Sequence, residues 1–227
     1  MPRDAGALRF GDQMMTSFRL PGFRRAILAS LLAVAALAQS GCFPLAATGI
    51  AVGAMAAADR RTIGTQTEDQ GIEVKALQRM SELKGGSGVS ATSFNRKVLL
   101  TGQVPDQRTK AEAGTIIGKV DSVLSVHNEL AIGERVGFGT QASDSSVTTR
   151  VKAAMVDTKD LQTNTIKVVT EAGVVYLMGI VTRAEGERAA QVASRVSGVR
   201  RVVTVFEYVT PDELARIERQ ARESAEK

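Results

Sequence analysis

The chain repeats itself at intervals of 75 to 77 residues, and such a period restricts it to a pair of small domains built on one plan. Val98-Leu99-Leu100-Thr101-Gly102-Gln103-Val104 is matched by Val175-Tyr176-Leu177-Met178-Gly179-Ile180-Val181, with the shared glycines 77 residues apart. Ile116-Ile117-Gly118-Lys119-Val120 corresponds to Val192-Ala193-Ser194-Arg195-Val196 at an offset of 76, and Val123-Leu124-Ser125-Val126 corresponds to Val199-Arg200-Arg201-Val202. Upstream, Ile72 to Leu83 and Val147 to Thr158 share a helical period at an offset of 75, with Met80 opposite Met155. Each unit reads helix, strand, strand, helix, strand.

The periods within one unit give the physical reasons. Ile166, Val168 and the run Val174 to Met178 are apolar or β-branched around Glu171-Ala172-Gly173, which supplies a hairpin turn; Asn95-Arg96-Lys97 does the same in the first unit. Gly102 and Gly179 are read as structural glycines at the end of the second strand, where the chain bends toward a helix without a Cβ in the way. Ala189, Val192, Ala193 and Val196 form an i, i+3, i+4, i+7 stripe that covers one sheet face. The fold class expected is α+β: two tandem αββαβ units, each a small three-stranded sheet packed by two helices. The first spans 67–134 and the second 142–210, joined by a glycine-containing linker at 135–141. A tail of alternating charge at 211–227 reads as a solvated helix. Cores of ~70 residues are small but within the range that folds.

The amino-terminal residues carry a different message. Arg3, Arg9, Arg19, Arg24 and Arg25 precede the apolar run Ala26 to Ala38, which is too short to span a bilayer and ends in small residues, as a secretory signal does. The only cysteine follows at once, in Ser40-Gly41-Cys42. This resembles a lipobox, although Gln39 stands where leucine is usual. The resemblance implies that residues 1–41 are removed and that Cys42 carries a diacylglyceryl group and an amide-linked acyl chain, two signals that make anchoring durable. Phe43 after the cysteine, in place of aspartate, implies the outer membrane, with the protein facing the periplasm. Residues 42–66 then form a membrane-proximal tether; the alternative, a span made from this stretch and the signal, would bury Cys42, Pro44 and several glycines in lipid.

Charge excludes one class of partner. The excess of 29 Lys and Arg over 24 Asp and Glu falls to 24 against 22 once residues 1–41 are set aside, and Trp is absent, so no nucleic-acid surface is expected. His127, the single histidine, has no cysteine or second histidine at metal-ligand spacing. No serine or cysteine is paired with a base, and no glycine-rich phosphate loop joins a strand to a helix. Neither an enzyme nor a cofactor is expected.

The signature Leu-x-Gly-x-Val, a helix, then Val-x-Gly-Val-x-x-Val resembles the BON domain. The second unit carries it as Leu177-Met178-Gly179-Ile180-Val181 and Val196-Ser197-Gly198-Val199-Arg200-Arg201-Val202, with Gly198 as a third structural glycine; the first unit departs from it at Ser122. With the lipobox, the pair is similar to the dual-BON outer-membrane lipoproteins. That resemblance implies binding of anionic phospholipid (phosphatidylglycerol or cardiolipin) by the second unit, residence at the outer membrane including the division site, support of envelope integrity, and a link to the β-barrel assembly machinery.

The helical period offers a place for the lipid. At 100° per residue Val151, Ala154, Met155 and Thr158 lie within about 80° of Val147, whereas Val156 points the other way, beside Thr149 and Lys152. The candidate lipid-binding residues are Ser146, Thr149, Arg150, Lys152, Ala153 and Val156: an apolar tip with cations and hydroxyls around it. The second unit is also the more basic, with nine Lys and Arg against seven Asp and Glu over 142–210 and nine of each over 67–135. A lone exposed valine is ordinary on any surface, so a second reading stays open: a protein-interaction adaptor using sheet edges or the face between the units.

Overall fold

The computed structural model describes residues 59–159 and 161–225; the signal segment, Cys42 and the chain up to residue 58 lie outside them. The elements run α1 (Ile63–Glu82), β1 (Val89–Phe94), β2 (Lys97–Val104), α2 (Gln107–Ile117), β3 (Ser125–Asn128), β4 (Ala131–Ile132), α3 (Phe138–Val156), β5 (Ile166–Glu171), β6 (Val174–Val181), α4 (Arg183–Ser194), β7 (Arg201–Tyr208) and α5 (Pro211–Ala225). In each repeat the middle strand pairs antiparallel with its hairpin partner and parallel with the strand that returns after the helix, so the orders are β1-β2-β3 and β5-β6-β7. The two are not identical. Where β7 pairs with β6 over eight residues, the first repeat breaks the same strand at Glu129-Leu130 into β3 and β4, both beside β2, which makes a four-stranded sheet.

Helix starts follow side-chain chemistry. The hydroxyl of Thr62 accepts from the Thr65 N–H and the carboxylate of Asp106 from the Thr109 N–H, which satisfies amides that no helical carbonyl can reach. Thr182 with Glu185, and Thr210 with Glu213, each form the reciprocal Thr–Glu box, the latter followed by Pro211 in the first turn. Helix α3 starts after Gly137 with no side-chain cap, inside the 135–141 stretch expected as linker, and α1 starts inside the stretch expected as tether.

Two positions expected at a bend lie inside strands instead. Gly102 pairs with Val89 and Gly179 with Ile166. At Gly102, with φ +108°, a Cβ would sit 2.0 Å from the Gly88 carbonyl oxygen, and at Gly179 it would sit 2.8 Å from that of Thr165. The constraint is the short helical turn before the hairpin (Gly86–Gly88, Thr163–Thr165), whose last carbonyl crowds the central strand. Gly198, at φ +92°, turns the chain between α4 and β7; Ser122, its counterpart, takes φ +69° despite its side chain.

Alternate residues of the central strands serve two cores. Val98 and Leu100 face α1 and α2, with Ile72, Ala76, Met80, Ala113 and Ile117; Val175 and Leu177 face α3 and α4, with Val147, Val151, Met155, Ala189 and Ala193. The residues between them point to the opposite face, where Leu99 and Phe94 of the first repeat meet Tyr176, Met178, Ile180 and Val205 of the second in a third core. Polar side chains close its rim: Gln103 donates to Glu171 at 2.7 Å, Asn95 to Glu207 at 2.9 Å, and Lys167 to Glu73 at 2.8 Å. The adaptor reading therefore loses one of its surfaces, since the face between the repeats is spent inside the molecule.

The tail is the helix expected, mostly exposed, but it is docked along one narrow edge. Ala221 is buried, Ile217 packs against the third core, and Glu218 accepts from Arg60 Nε at 3.2 Å. Arg60 is 3% exposed and also donates to the Ile180 carbonyl at 2.7 Å and to Glu185 at 2.6 Å. Burial pushes the Glu185 carboxyl up, but hydrogen bonds from Arg60 and the Thr182 N–H, with the Arg60 charge, outweigh it and hold the group below its ordinary value of 4.5.

Two outcomes follow. Ser122→Gly relieves the left-handed backbone and raises stability by about 0.5–1 kcal/mol in urea unfolding, the loss of an exposed hydroxyl bond to Glu68 being small. Because the folded pKa of Glu185 is depressed, its contribution is present above the unfolded value and is lost as pH falls through the folded one. Glu185→Gln should flatten the acid limb of stability measured from about pH 6 down to about pH 3.

Candidate functional site

A carboxylate on the inner face of helix α3 ties it to the hairpin turn of its repeat. Asp144, 7% exposed, accepts from the Ala172 N–H at 2.7 Å and the Gly173 N–H at 2.8 Å, the two residues of the hairpin turn. Both sit at positive φ, 48° and 74°, as a two-residue turn that matches strand twist requires. The first repeat does the same: Asp69 accepts from the Asn95 and Arg96 N–H groups at 2.8 and 2.7 Å, and both residues are left-handed. A charged acceptor for two turn amides lets non-glycine residues stay in a conformation that costs about 1–2 kcal/mol. Reading the sequence for apolar periods missed this pair, yet the signal is present. Gly64-Thr65-Gln66 with Asp69 recurs as Gly139-Thr140-Gln141 with Asp144, at the offset of 75.

With its inner face fixed, α3 turns Ser146, Thr149, Arg150, Lys152, Ala153 and Val156 to solvent; all six are exposed, and Val156 retains 68% of its surface. Arg150 is partly engaged. Its Nε and Nη2 donate to the Ser197 carbonyl at 3.2 and 3.1 Å, across Gly198, where a Cβ would meet the guanidinium at 2.9 Å. The glycine thus makes room for the arginine, which ties α3 to the turn after α4.

Helix α4 lies beside α3 on the same sheet face, buries Gly186, Ala189 and Ala193, and turns Arg188, Gln191 and Arg195 outward. The outer surface of this helical layer therefore combines Lys152 and Val156 with Arg188 and Arg195, and none of these three cations is ion-paired among the described residues. Arg188 and Arg195 were legible as the polar side of the α4 stripe; only the packing of α3 against α4 brings them to one surface. In the first repeat the matching layer differs. Val74 and Leu77 replace Thr149 and Lys152, while Lys75 pairs with Asp121 and Arg79 with Glu82. An open groove of about 830 Å³ beside that layer mixes Arg79, Lys84 and Arg108 with Glu82, Asp106 and Glu112, so it favours neither sign of ligand.

His127 is exposed on β3, and no group of three His, Cys, Asp or Glu that could hold a metal ion is found among the described residues. What the outer face of α3 and α4 offers is a surface of cations and hydroxyls with one apolar tip, with Asp157 and Glu187 also exposed.

This topology, with its twice-used aspartate and glycine, defines a tandem of BON domains. The model of the BON domain matches residues 68–134 and 143–210, and the chain belongs to that family. It is 38% identical to the outer membrane lipoprotein DolP of Haemophilus influenzae over 79% of this chain and 95% of that one; its kinship is with dual-BON outer-membrane lipoproteins of the DolP type. It is also similar to the 21 kDa hemolysin of Actinobacillus pleuropneumoniae, at 33% identity over 66% of this chain and 79% of that one. With the osmotically-inducible protein Y of Escherichia coli the identity is 30% over 62% and 72%.

Replacing Asp144 by Ala leaves two turn amides without their acceptor. Urea unfolding should show a loss of about 2–4 kcal/mol, with Asp144→Asn retaining part of it.

Proposed function

We propose that this protein is held to the outer membrane through acylated Cys42 and that the outer surface of α3 and α4 binds anionic phospholipid, supporting the integrity of that membrane. The observation that carries the proposal is the outer surface of α3 and α4, where Val156 is exposed and Lys152, Arg188 and Arg195 make no ion pair among the described residues, set against α1, where Val74 and Leu77 take the places of Thr149 and Lys152 and where Lys75 and Arg79 are ion-paired. Each cation near an anionic surface contributes ~1 kcal/mol, and an apolar tip entering the headgroup region adds to it. Binding of the folded part alone is weak and reversible, and a covalent acyl anchor makes weak binding sufficient. The name of the relative from Haemophilus influenzae, an outer membrane lipoprotein, supports the location.

A second reading rests on a different helix. The outward face of α1 carries Ile63, Val74 and Leu77, all exposed, with Thr67, Gln70, Gln78 and Ser81 and no charge between them, which suits contact with a protein of the envelope such as the β-barrel assembly machinery.

The two separate in one experiment. Residues 59–227 are sedimented with vesicles that contain or lack phosphatidylglycerol or cardiolipin, beside Val156→Glu. Binding that needs anionic lipid, weakens with salt and falls about tenfold in the variant supports the lipid reading. Equal sedimentation with both vesicle types, or none, removes it and leaves the α1 face to be pursued by crosslinking at Leu77.

A further inference from the structure

We propose that the turn between α4 and β7 binds a phosphate group, held by Arg150, Arg195 and Arg200 around Ser197-Gly198. The site goes beyond the lipid reading above: it does not involve Val156, and it takes the phosphate of a lipid headgroup or a free phosphate by the same contacts.

The second repeat seats two arginine side chains over glycines at this corner. Arg150, coming from α3, donates from Nε and Nη2 to the Ser197 carbonyl, and a Cβ on Gly198 would stand 2.9 Å from that Nη2. Arg200, the residue before β7, lays its stem over Gly173, where a Cβ would stand 2.6 Å from its Cδ, and its Nη1 lies 3.5 Å from the Ala172 carbonyl. The two glycines are neighbours, since the same Cβ position at Gly173 is 3.5 Å from the Gly198 carbonyl oxygen. Arg195 closes α4 two residues before Ser197. All three arginines are exposed, and none is ion-paired among the described residues. The carboxylates nearby are engaged: Asp144 by the Ala172 and Gly173 amides, Glu171 by Gln103, and Glu129 by Arg201. The N–H groups of Ser197 and Gly198 make no backbone bond among the described residues, which leaves two amide donors at the turn itself.

The first repeat closes the same corner with acids. Lys75, at the position of Arg150, pairs with Asp121, which stands where the second repeat has Ser197. Glu68, which stands where it has Ser143, accepts from the Ser122 hydroxyl, and Leu124 takes the place of Arg200. Arg96 and Ser122 occupy the places of Gly173 and Gly198 with positive φ and no glycine. The second repeat has thus exchanged two acids for serines, gained an arginine, and put glycines where its arginine arms pass. Folding of the turn does not require this set, because the first repeat makes the same turn with the other. Three cations without a counter-charge repel one another, and a bound anion relieves that repulsion. A tetrahedral phosphate accepts from donors that arrive from several sides, here a guanidinium from α3, another from the start of β7 and two turn amides; a planar carboxylate has only two oxygens to offer them.

The test uses the acylated full-length protein, isotope-labelled, in micelles of a nonionic detergent that contains no phosphate. NMR follows the amides of Ser197 and Gly198 and the Nε–H signals of Arg150 and Arg200, with the amides of Asp121 and Ser122 as internal reference. Inorganic phosphate is added in one arm and phosphatidylglycerol in the other, each beside acetate at equal ionic strength. Saturable shifts at the four groups, absent from the reference pair and at least severalfold smaller with acetate, are expected. Their appearance in both arms shows a site for any phosphate, and their appearance with phosphatidylglycerol alone shows a headgroup site; either supports the proposal. Ser197→Asp and Arg200→Leu, which install the residues of the first repeat at exposed positions, should each weaken binding at least fivefold, and Arg200→Lys should weaken it less. Unaltered signals from the first repeat show that these variants keep the fold. Saturable shifts in neither arm, equal shifts with acetate, or unchanged affinity in both Ser197→Asp and Arg200→Leu overturns the proposal. The effect of Val156→Glu on vesicle sedimentation bears on the lipid reading alone, so the two can fail separately.

Discussion

A three-stranded sheet covered by two helices on one side leaves its other side bare, and the architecture of this protein answers that deficit. The central strand β6 is apolar on both faces, and β2 buries Leu99, Thr101 and Gln103 on the face away from its helices, so neither repeat can satisfy itself with its own helices. Leu99 and Phe94 on one side, and Tyr176, Met178, Ile180 and Val205 on the other, cover one another; each fully buried side chain of this size contributes about 1.5–3 kcal/mol relative to exposure. The rim of ion pairs and amide contacts sets the register of the two sheets, because a shift would leave Lys167, Glu73 or Glu207 without partners. Lys167 and Glu73 also occupy the backbone of Ser93, bonding its C=O and N–H, and so blunt part of the β1 edge.

Once the inner faces are spent on each other, only the helical layers and a few strand edges meet the surroundings. Duplication then allows divergence. Ile63, Val74, Leu77 and Ser81 of α1 occupy the positions of Phe138, Thr149, Lys152 and Val156 of α3, so one backbone plan displays an uncharged stripe in one repeat and a basic surface with an apolar tip in the other. The buried sides hardly differ: Asp69 and Asp144 perform the same task, and Met80 and Met155 fill the same place in their cores. Packing constrains the inner residues alike in both repeats and, apart from Arg150 against Gly198, leaves the outer ones free to differ.

The residues invisible to periodicity act across distance. Arg60 reads locally as one of two basic residues before a helix, and its burial depends on Ile180, Glu185 and Glu218 converging on it. The tail alternates in charge like a solvated helix because its contact with the body is narrow; Ile217 and Ala221 suffice, and so narrow an apolar edge is hard to tell from a surface helix in sequence. Gly102 and Gly179 were recognisable as required glycines, while the reason for them, a carbonyl from the preceding turn pressing on the strand, needs the hairpin closed.

The sequence by itself determined the repeat, the α+β class, the order of elements, the turn positions and the outward direction of Val156, because each depends on period, turn chemistry or spacing within a few residues. Only the tertiary structure decided that the two sheets share a core, that α3 and α4 bring Lys152, Arg188 and Arg195 to one surface, and that Arg60 is buried among Ile180, Glu185 and Glu218. These depend on contacts between residues as many as 158 positions apart, whose free energy comes from mutual burial and pairing, and no local pattern records which partner a side chain will find.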